Sequence, residues 1–281
     1  MSRIRSHMMS ARWGIACLLA SAAPAAAQSI DYGQYEAIFG EPVTTSATGA
    51  PQRVSDVPAA MIIIRGEDLR RTGAINLAEA LRGRAGIDVN RFGAQQYDVT
   101  VRGANQPFNP RLLVMVNGRQ IYLDHYGLTS WSNLGIELAE IRQIEIVKGP
   151  VSALFGFNAT AGAINIVTYN PVSDRVNAVS AQTGSDHARA VSAVGTLQLG
   201  DALGIRMSGG YARQDEFTDV GNLRPYRKNL ALDAGLAVSS TVTARFGYSY
   251  ADSKQLMEAP SFFQVLMGFR THGAQAEVTA D

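Results

Sequence analysis

Hydrophobic and polar positions change their period along this chain, and the changes mark out two regions. Met61-Ile62-Ile63-Ile64 is a short apolar run ended by Arg65-Gly66, which predicts a β-strand. Glu67 and Asp68 follow where the first turn of a helix favours acidic side chains. Leu77, Ala80 and Leu81 give a second short helix one apolar face, stopped near Gly83 and Gly86. Ile87 and Val89, then Val99 and Val101, alternate as two strands around a polar tip at 93–96. Leu112-Leu113-Val114-Met115-Val116 reads as a buried strand running into an Asn117-Gly118 turn. Two further strands centre on Ile144 and Ile164. The residues before this unit, 28–60, show no sustained period and read as a mobile segment followed by an extended linker.

From about Val176 the texture changes. Leu203, Ile205, Met207 and Tyr211 alternate with Gly204, Arg206, Ser208 and Gly210. Leu230, Leu232, Leu236 and Val238 alternate with Asn229, Ala231, Asp233 and Gly235, and Phe246, Tyr248 and Tyr250 with Arg245, Gly247 and Ser249. Strands of about ten residues, apolar on one face, small or polar on the other and aromatic near one end, fit a transmembrane β-barrel. Gly200-Asp201 and Ser239-Ser240 suggest tight turns, whereas 214–228 and 253–273 suggest long polar loops. A soluble β-sandwich shares the alternation and stays open as the competing reading.

The N-terminus changes the picture most. Arg3, Arg5 and Arg12 precede a short apolar run from Trp13 to Ala23, and Ala25-Ala26-Ala27 supplies a small-residue cleavage pattern, so residues 1–27 read as a signal peptide. Cys17 lies inside it behind a poor lipobox, which leaves the mature chain without a thiol. The net charge of +1, with scattered Lys and Arg, argues against a nucleic-acid partner. No catalytic, metal or cofactor constellation is visible. The four His lie far apart, and the contiguous Ser185-Asp186-His187 cannot form a triad. The Asn158-Ala159-Thr160 sequon reads as incidental in a bacterial chain.

Against this background the order of motifs over 41–171 resembles the plug domain of the TonB-dependent outer-membrane receptors. The residues that carry the resemblance are Glu41–Ala47 at the TonB-box position, 51–59 at the opening of the plug, and Ala85-Gly86-Ile87 for the family's PGV. They continue with Val101-Arg102-Gly103 for IRG and Leu113–Gly118 for LVLIDG. The most specific block is Ile144-Glu145-Ile146-Val147-Lys148-Gly149-Pro150, followed by Ser152–Gly156 and Gly162–Thr168. Ala85 and Asn117 depart from the family's Pro and Asp.

The resemblance implies an α+β plug, a small mixed sheet with short helices, over residues 51–171. Residues 28–50 would be a flexible segment carrying the TonB box, and residues 172–281 five or six antiparallel strands of an incomplete barrel. The family's barrel has 22 strands, so it also implies a truncated receptor. Glu41, Pro42, Val43, Thr44, Thr45, Ser46 and Ala47 would meet TonB and its inner-membrane energising complex, adding a free extended strand to the partner's sheet edge. Outward-facing plug loops would place Arg91, Phe92, Gln95, Gln96, Gln106, Phe108, Tyr122, Asp124, His125, Tyr126 and Trp131 against a small-molecule or metal-chelate ligand. Arg102, Glu145 and Lys148 would be structural charges that satisfy one another or the barrel wall. The expected role is non-enzymatic: energised uptake of a scarce nutrient such as a ferric siderophore or cobalamin, at the outer membrane of a Gram-negative bacterium, with barrel strands in lipid. The alternatives are a periplasmic plug-only binding module and a non-functional truncated receptor. A signalling transducer is discounted, because little chain separates the cleavage site from Glu41.

Overall fold

A computed structural model describes residues 32–44, 46, 52–103, 109–123, 127–217, 224–239, 242–258 and 264–280. The chain opens with helix α1 (Tyr32–Phe39), followed by the paired two-residue strands β1 (Val43–Thr44) and β2 (Gln52–Arg53). Next come β3 (Ala60–Arg65), α2 (Gly66–Arg71), α3 (Leu77–Ala80), β4 (Ile87–Arg91), β5 (Tyr97–Val101), β6 (Leu112–Val116) and β7 (Arg119–Gln120). The first region closes with β8 (Ile141–Lys148), α4 (Ser152–Phe155) and β9 (Gly162–Thr168). Short 3-10 turns at Trp131–Asn133 and Leu138–Glu140 precede β8.

The central sheet has the order β3-β8-β9-β6-β7, with β6 and β9 parallel and every other pair antiparallel. All seven residues of β9 are buried, as expected for a strand covered on both faces. Ile64, Ile144, Ile146, Ile164 and Ile166 pack with Leu69, Leu81, Val114 and Trp131 into the main core. The β6–β7 connection places Asn117 at φ 49° and Gly118 at φ 76°, the two positive values that a two-residue hairpin turn demands. Asn76 caps α3 by accepting from the Glu79 amide (3.0 Å) and donates through Nδ2 to the Tyr97 hydroxyl (2.9 Å). Asn76→Ala is therefore expected to cost about 1–2 kcal/mol of stability, measurable as a lower urea midpoint. A midpoint unchanged within error would mean that the cap does not matter.

The second region is a six-stranded antiparallel meander: β10 (Ala178–Thr183), β11 (Arg189–Leu199), β12 (Leu203–Arg213), β13 (Tyr226–Ala237), β14 (Val242–Glu258) and β15 (Gln264–Ala280). Its side chains alternate as the sequence pattern requires. Leu197, Met207, Leu230 and Phe246 face outward and are about half exposed, whereas Arg206, Ser208, Asp233 and Ser253 face the first region and are buried. Glycine lets the two regions approach. A Cβ on Gly204 would lie 1.9 Å from the Pro171 carbonyl oxygen, and one on Gly210 would lie 2.1 Å from Glu137 Oε1.

Three expectations need correction. Part of 28–60 is regular: Tyr32–Phe39 is helical, closed by Gly40 at φ 70° with its amide on the Glu36 carbonyl. Residues 253–273 are not one long loop, since β14 runs to Glu258 and β15 starts at Gln264. Likewise β13 begins at Tyr226, inside the loop expected over 214–228. The polar residues of β14 misled the reading. Ser253 and Gln255 face the first region, where polarity is compatible with a strand.

Candidate functional site

The residues expected at the TonB-box position are docked rather than free. Val43 and Thr44 are fully buried, and Ser46 nearly so. Their holder is Glu145, in the middle of β8 and 0% exposed. Its Oε2 accepts from Thr44 Oγ1 (2.9 Å), from the Ser46 amide (3.2 Å) and from Ser46 Oγ. Gln143 Nε2 donates both to Glu145 Oε1 (2.8 Å) and to the Val43 carbonyl (2.9 Å), so one amide side chain ties the carboxylate to the segment it holds. Glu41 accepts from Ser55 Oγ (2.6 Å) and lies 3.7 Å from Arg53, while the Pro42 carbonyl receives the Val54 amide. Thr45 and Ala47 lie outside the described residues.

Of the two arrangements expected for Arg102, Glu145 and Lys148, mutual pairing or pairing with the wall, the first is not seen. Among the described residues no ion pair joins them. Arg102 is exposed at φ 57° with its guanidinium beside Gly149, and Lys148 lies along Gly86. A different set carries the charge between the two regions. Arg206, 3% exposed, donates to Asp233 (2.7 Å), Thr168 Oγ1 (2.9 Å) and the Tyr169 carbonyl. Its Nε lies 3.4 Å from Glu140, an ion contact without hydrogen-bond alignment. Arg245 donates through Nε to Asp233 Oδ1 (2.9 Å) and through Nη2 to Thr168 Oγ1 (3.2 Å). Asn117 accepts from the Thr168 amide, extending the network into the β6–β7 turn. Higher up the wall, Arg227 donates to Glu137 (3.0 Å) and to the Ile75 carbonyl (3.1 Å).

Burial holds the Glu140 carboxyl above its ordinary pKa, outweighing the attraction of Arg206. A raised carboxyl pKa means that the folded state binds its proton more tightly than the unfolded chain does. The resulting stability is present below about pH 4.3, the ordinary glutamate value, and is lost as pH rises through the raised pKa. Glu140→Gln is expected to flatten that slope in urea titrations across this window. An unchanged slope would assign it to another group.

The apical residues fall into two sets. Arg91 is committed: its Nη1 pairs with Glu79 (3.0 Å), and it donates to the Gly93 and Ala94 carbonyls and to Gln214 Oε1. Its guanidinium also covers the ring of Phe217 at 4.4 Å. Glu216 Oε1 accepts from the Ala94 amide (2.8 Å), so the tip at 93–96 is strapped to the segment after β12. Phe92 is 37% exposed, whereas Gln95 and Gln96 are buried. Trp131 belongs to the main core, 7% exposed, and is a packing residue rather than an outward-facing one, while Tyr122 is half-buried. Gln106, Phe108, Asp124, His125 and Tyr126 lie outside the described residues.

Sequence reasoning missed Gln143, Glu137, Glu140 and the strand arginines. The signal was their placement: Arg206 and Arg245 are the single charges on the small, polar faces of β12 and β14, and β13 carries Arg227 and Asp233 on the corresponding face. Around the tip, Gln95 Oε1, Ser130 Oγ, Asn133 Oδ1, Ser253 Oγ and Gln255 Oε1 are buried without a protein hydrogen-bond partner. Such atoms call for water or a polar ligand.

Comparison with known proteins agrees with this geometry. Residues 53–163 match the family described as TonB-dependent Receptor Plug Domain. The chain is similar to the iron-regulated outer membrane virulence protein of Vibrio cholerae, 29% identical over 134 residues, covering 46% of this chain and 20% of that protein. It is also similar to the vitamin B12 transporter BtuB of Photobacterium profundum, 33% identical over 131 residues, covering 46% of this chain and 21% of that one. The chain thus spans about a fifth of the length of these relatives. Among solved structures, Pseudomonas aeruginosa FpvA bound to heterologous pyoverdines superposes with a TM-score of 0.65 at 13% identity, covering 85% of this chain and 34% of that one. The ferric-catecholate import receptor Fiu of Escherichia coli gives 0.58 at 19%, covering 74% and 29%. Residues 53–163 are a TonB-dependent receptor plug domain, carried by this chain in the fold of the TonB-dependent outer-membrane receptors.

Proposed function

We propose that this chain is the N-terminal part of a TonB-dependent outer-membrane receptor that takes up a scarce nutrient, such as a ferric siderophore or cobalamin. In this reading residues 41–47 are the segment that TonB grips. The observation that carries it is the Glu145 clasp. A short strand held by a few hydrogen bonds, and by little apolar area beyond Val43, can be withdrawn and handed to another sheet edge. The named relatives and neighbours, an iron-regulated protein, a vitamin B12 transporter and siderophore receptors, support this substrate class. The unpartnered polar atoms near the tip suit a ligand rich in hydrogen-bonding groups. A plug-only module is disfavoured, because Glu137 and Glu140 would lose the Arg227 and Arg206 that face them from the strands.

The reading is tested by energised uptake in cells that depend on the receptor carrying this segment, under iron or cobalamin limitation. Replacing residues 41–47 with Gly and Ser is expected to abolish accumulation while leaving surface binding intact. Undiminished accumulation would overturn it. Glu145→Ala is expected to raise amide exchange at 43–46 by about tenfold or more, the equivalent of one or two lost hydrogen bonds. Unchanged protection would show that the carboxylate does not hold the segment.

A further inference from the structure

The register of the six-stranded sheet fixes which outward side chains stand side by side. Residues directly opposite one another across a strand pair share a face. At the end of the sheet that leads into 214–225 and 259–263, one outward row runs Arg189–Arg213–Tyr226–Lys254. The next row runs Val191–Tyr211–Lys228–Asp252–Arg270. Asp252 lies 3.2 Å from Lys228 and 3.7 Å from Arg270, and it is the only carboxylate in the two rows. Five cations therefore face outward around one anion.

Arg189 and Arg213 sit directly across from each other, a like-charge pairing that costs stability unless an anion lies between them. Neither forms an ion pair among the described residues. At the same rim Asp215 is occupied by His187 (3.0 Å) and Arg224 (3.7 Å). The next rows carry Tyr250 and Tyr248, and the rows beyond them are apolar without hydroxyls: Leu197 and Phe246, then Leu236. Cations above, tyrosine rings beneath and wholly apolar side chains below reproduce the polarity profile of one membrane leaflet, with charge left over at its surface.

We propose that this belt seats the phosphate groups of anionic lipid headgroups on the outward face of β11–β15. Arg189 and Arg213 share one phosphate, and Lys228, Lys254 and Arg270 take others. The guanidinium pair supplies the forked donors that phosphate oxygens accept, and the flanking rings lie at the headgroup level. The proposal rests on the reading that these strands face lipid.

The test is flotation of the 281-residue chain, refolded in detergent, with vesicles of phosphatidylcholine alone or mixed in equal parts with phosphatidylglycerol. The expected result is partition into both, stronger by at least about tenfold into the anionic vesicles, with the excess abolished by high salt. Changing all five cations to Gln should remove the preference. An all-Lys set (Arg189→Lys, Arg213→Lys, Arg270→Lys) should retain it, which guards against a misfolded variant. Equal partition of the native chain into the two vesicles, or a salt-insensitive excess, overturns the headgroup site and leaves the lipid-facing reading standing. Partition into neither overturns both.

Discussion

Arg206→Ala is expected to destabilise the docking of the plug on the strands by about 3–5 kcal/mol, the range for removing one partner of a buried ion cluster. Arg206 lies at the centre of that interface, facing Glu140 from the plug and Asp233 from β13, with Thr168 and the Tyr169 carbonyl completing its donors. Without it, the Glu140 and Asp233 carboxylates face each other with Arg245 alone, in a setting from which water is largely excluded. A lysine at the same place keeps the charge but not the fork, so Arg206→Lys should recover only part of the loss. The measurement is urea unfolding of the refolded chain followed by Trp131 fluorescence, since that ring is buried in the plug core close to the strands. A loss below about 1 kcal/mol, the surface ion-pair range, would show that the cluster is solvated and does not hold the two regions together.

The second large effect is inside the plug. Ile164→Ala is expected to cost about 2–5 kcal/mol, the transfer term plus the cavity left behind. Ile164 is fully buried and stands between Val114 on β6 and Ile146 on β8, so both neighbouring strands lose contacts at once. Ile62, partly buried on the edge strand β3, serves as the internal control, and Ile62→Ala should cost clearly less. Equal losses at the two positions would mean that the sheet's centre is not where the stability resides.

The hydrophobic pattern made the strands of the plug legible, because the fully buried strand β6 reads as an unbroken apolar run and β9 as one interrupted only by Asn165 before its terminal Thr168. The Asn117-Gly118 turn was legible for a chemical reason, since only such residues adopt its backbone readily. Helix α1 was not legible. None of its residues is buried, so it carries no apolar stripe, and its fit comes from Glu36 beside Arg142 and Tyr35 stacked on Phe39. The site was legible in part. Motif order singled out residues 41–47 and Glu145 separately, but their contact, between residues about a hundred positions apart, depends on β8 and β1 coming together in the fold. The same limit hid the wall arginines: alternation assigns them a face, but the partner across that face belongs to a different region of the chain. At the tip, residue type gives no account of depth: Trp131 and Gln95 suit ligand contact by chemistry, and only packing shows that both are buried, Trp131 within the main core.

The central claim is that residues 41–47 leave Glu145 to meet TonB. A Thr45→Cys variant tests it most directly, because Cys17 is the only other cysteine of the sequence. The account predicts a disulfide cross-link to a cysteine placed on the strand edge of TonB's periplasmic domain, enhanced when nutrient is present and further enhanced by Glu145→Ala. Absence of any cross-link in both the native and the Glu145→Ala background, with the receptor present in the outer membrane, would contradict it.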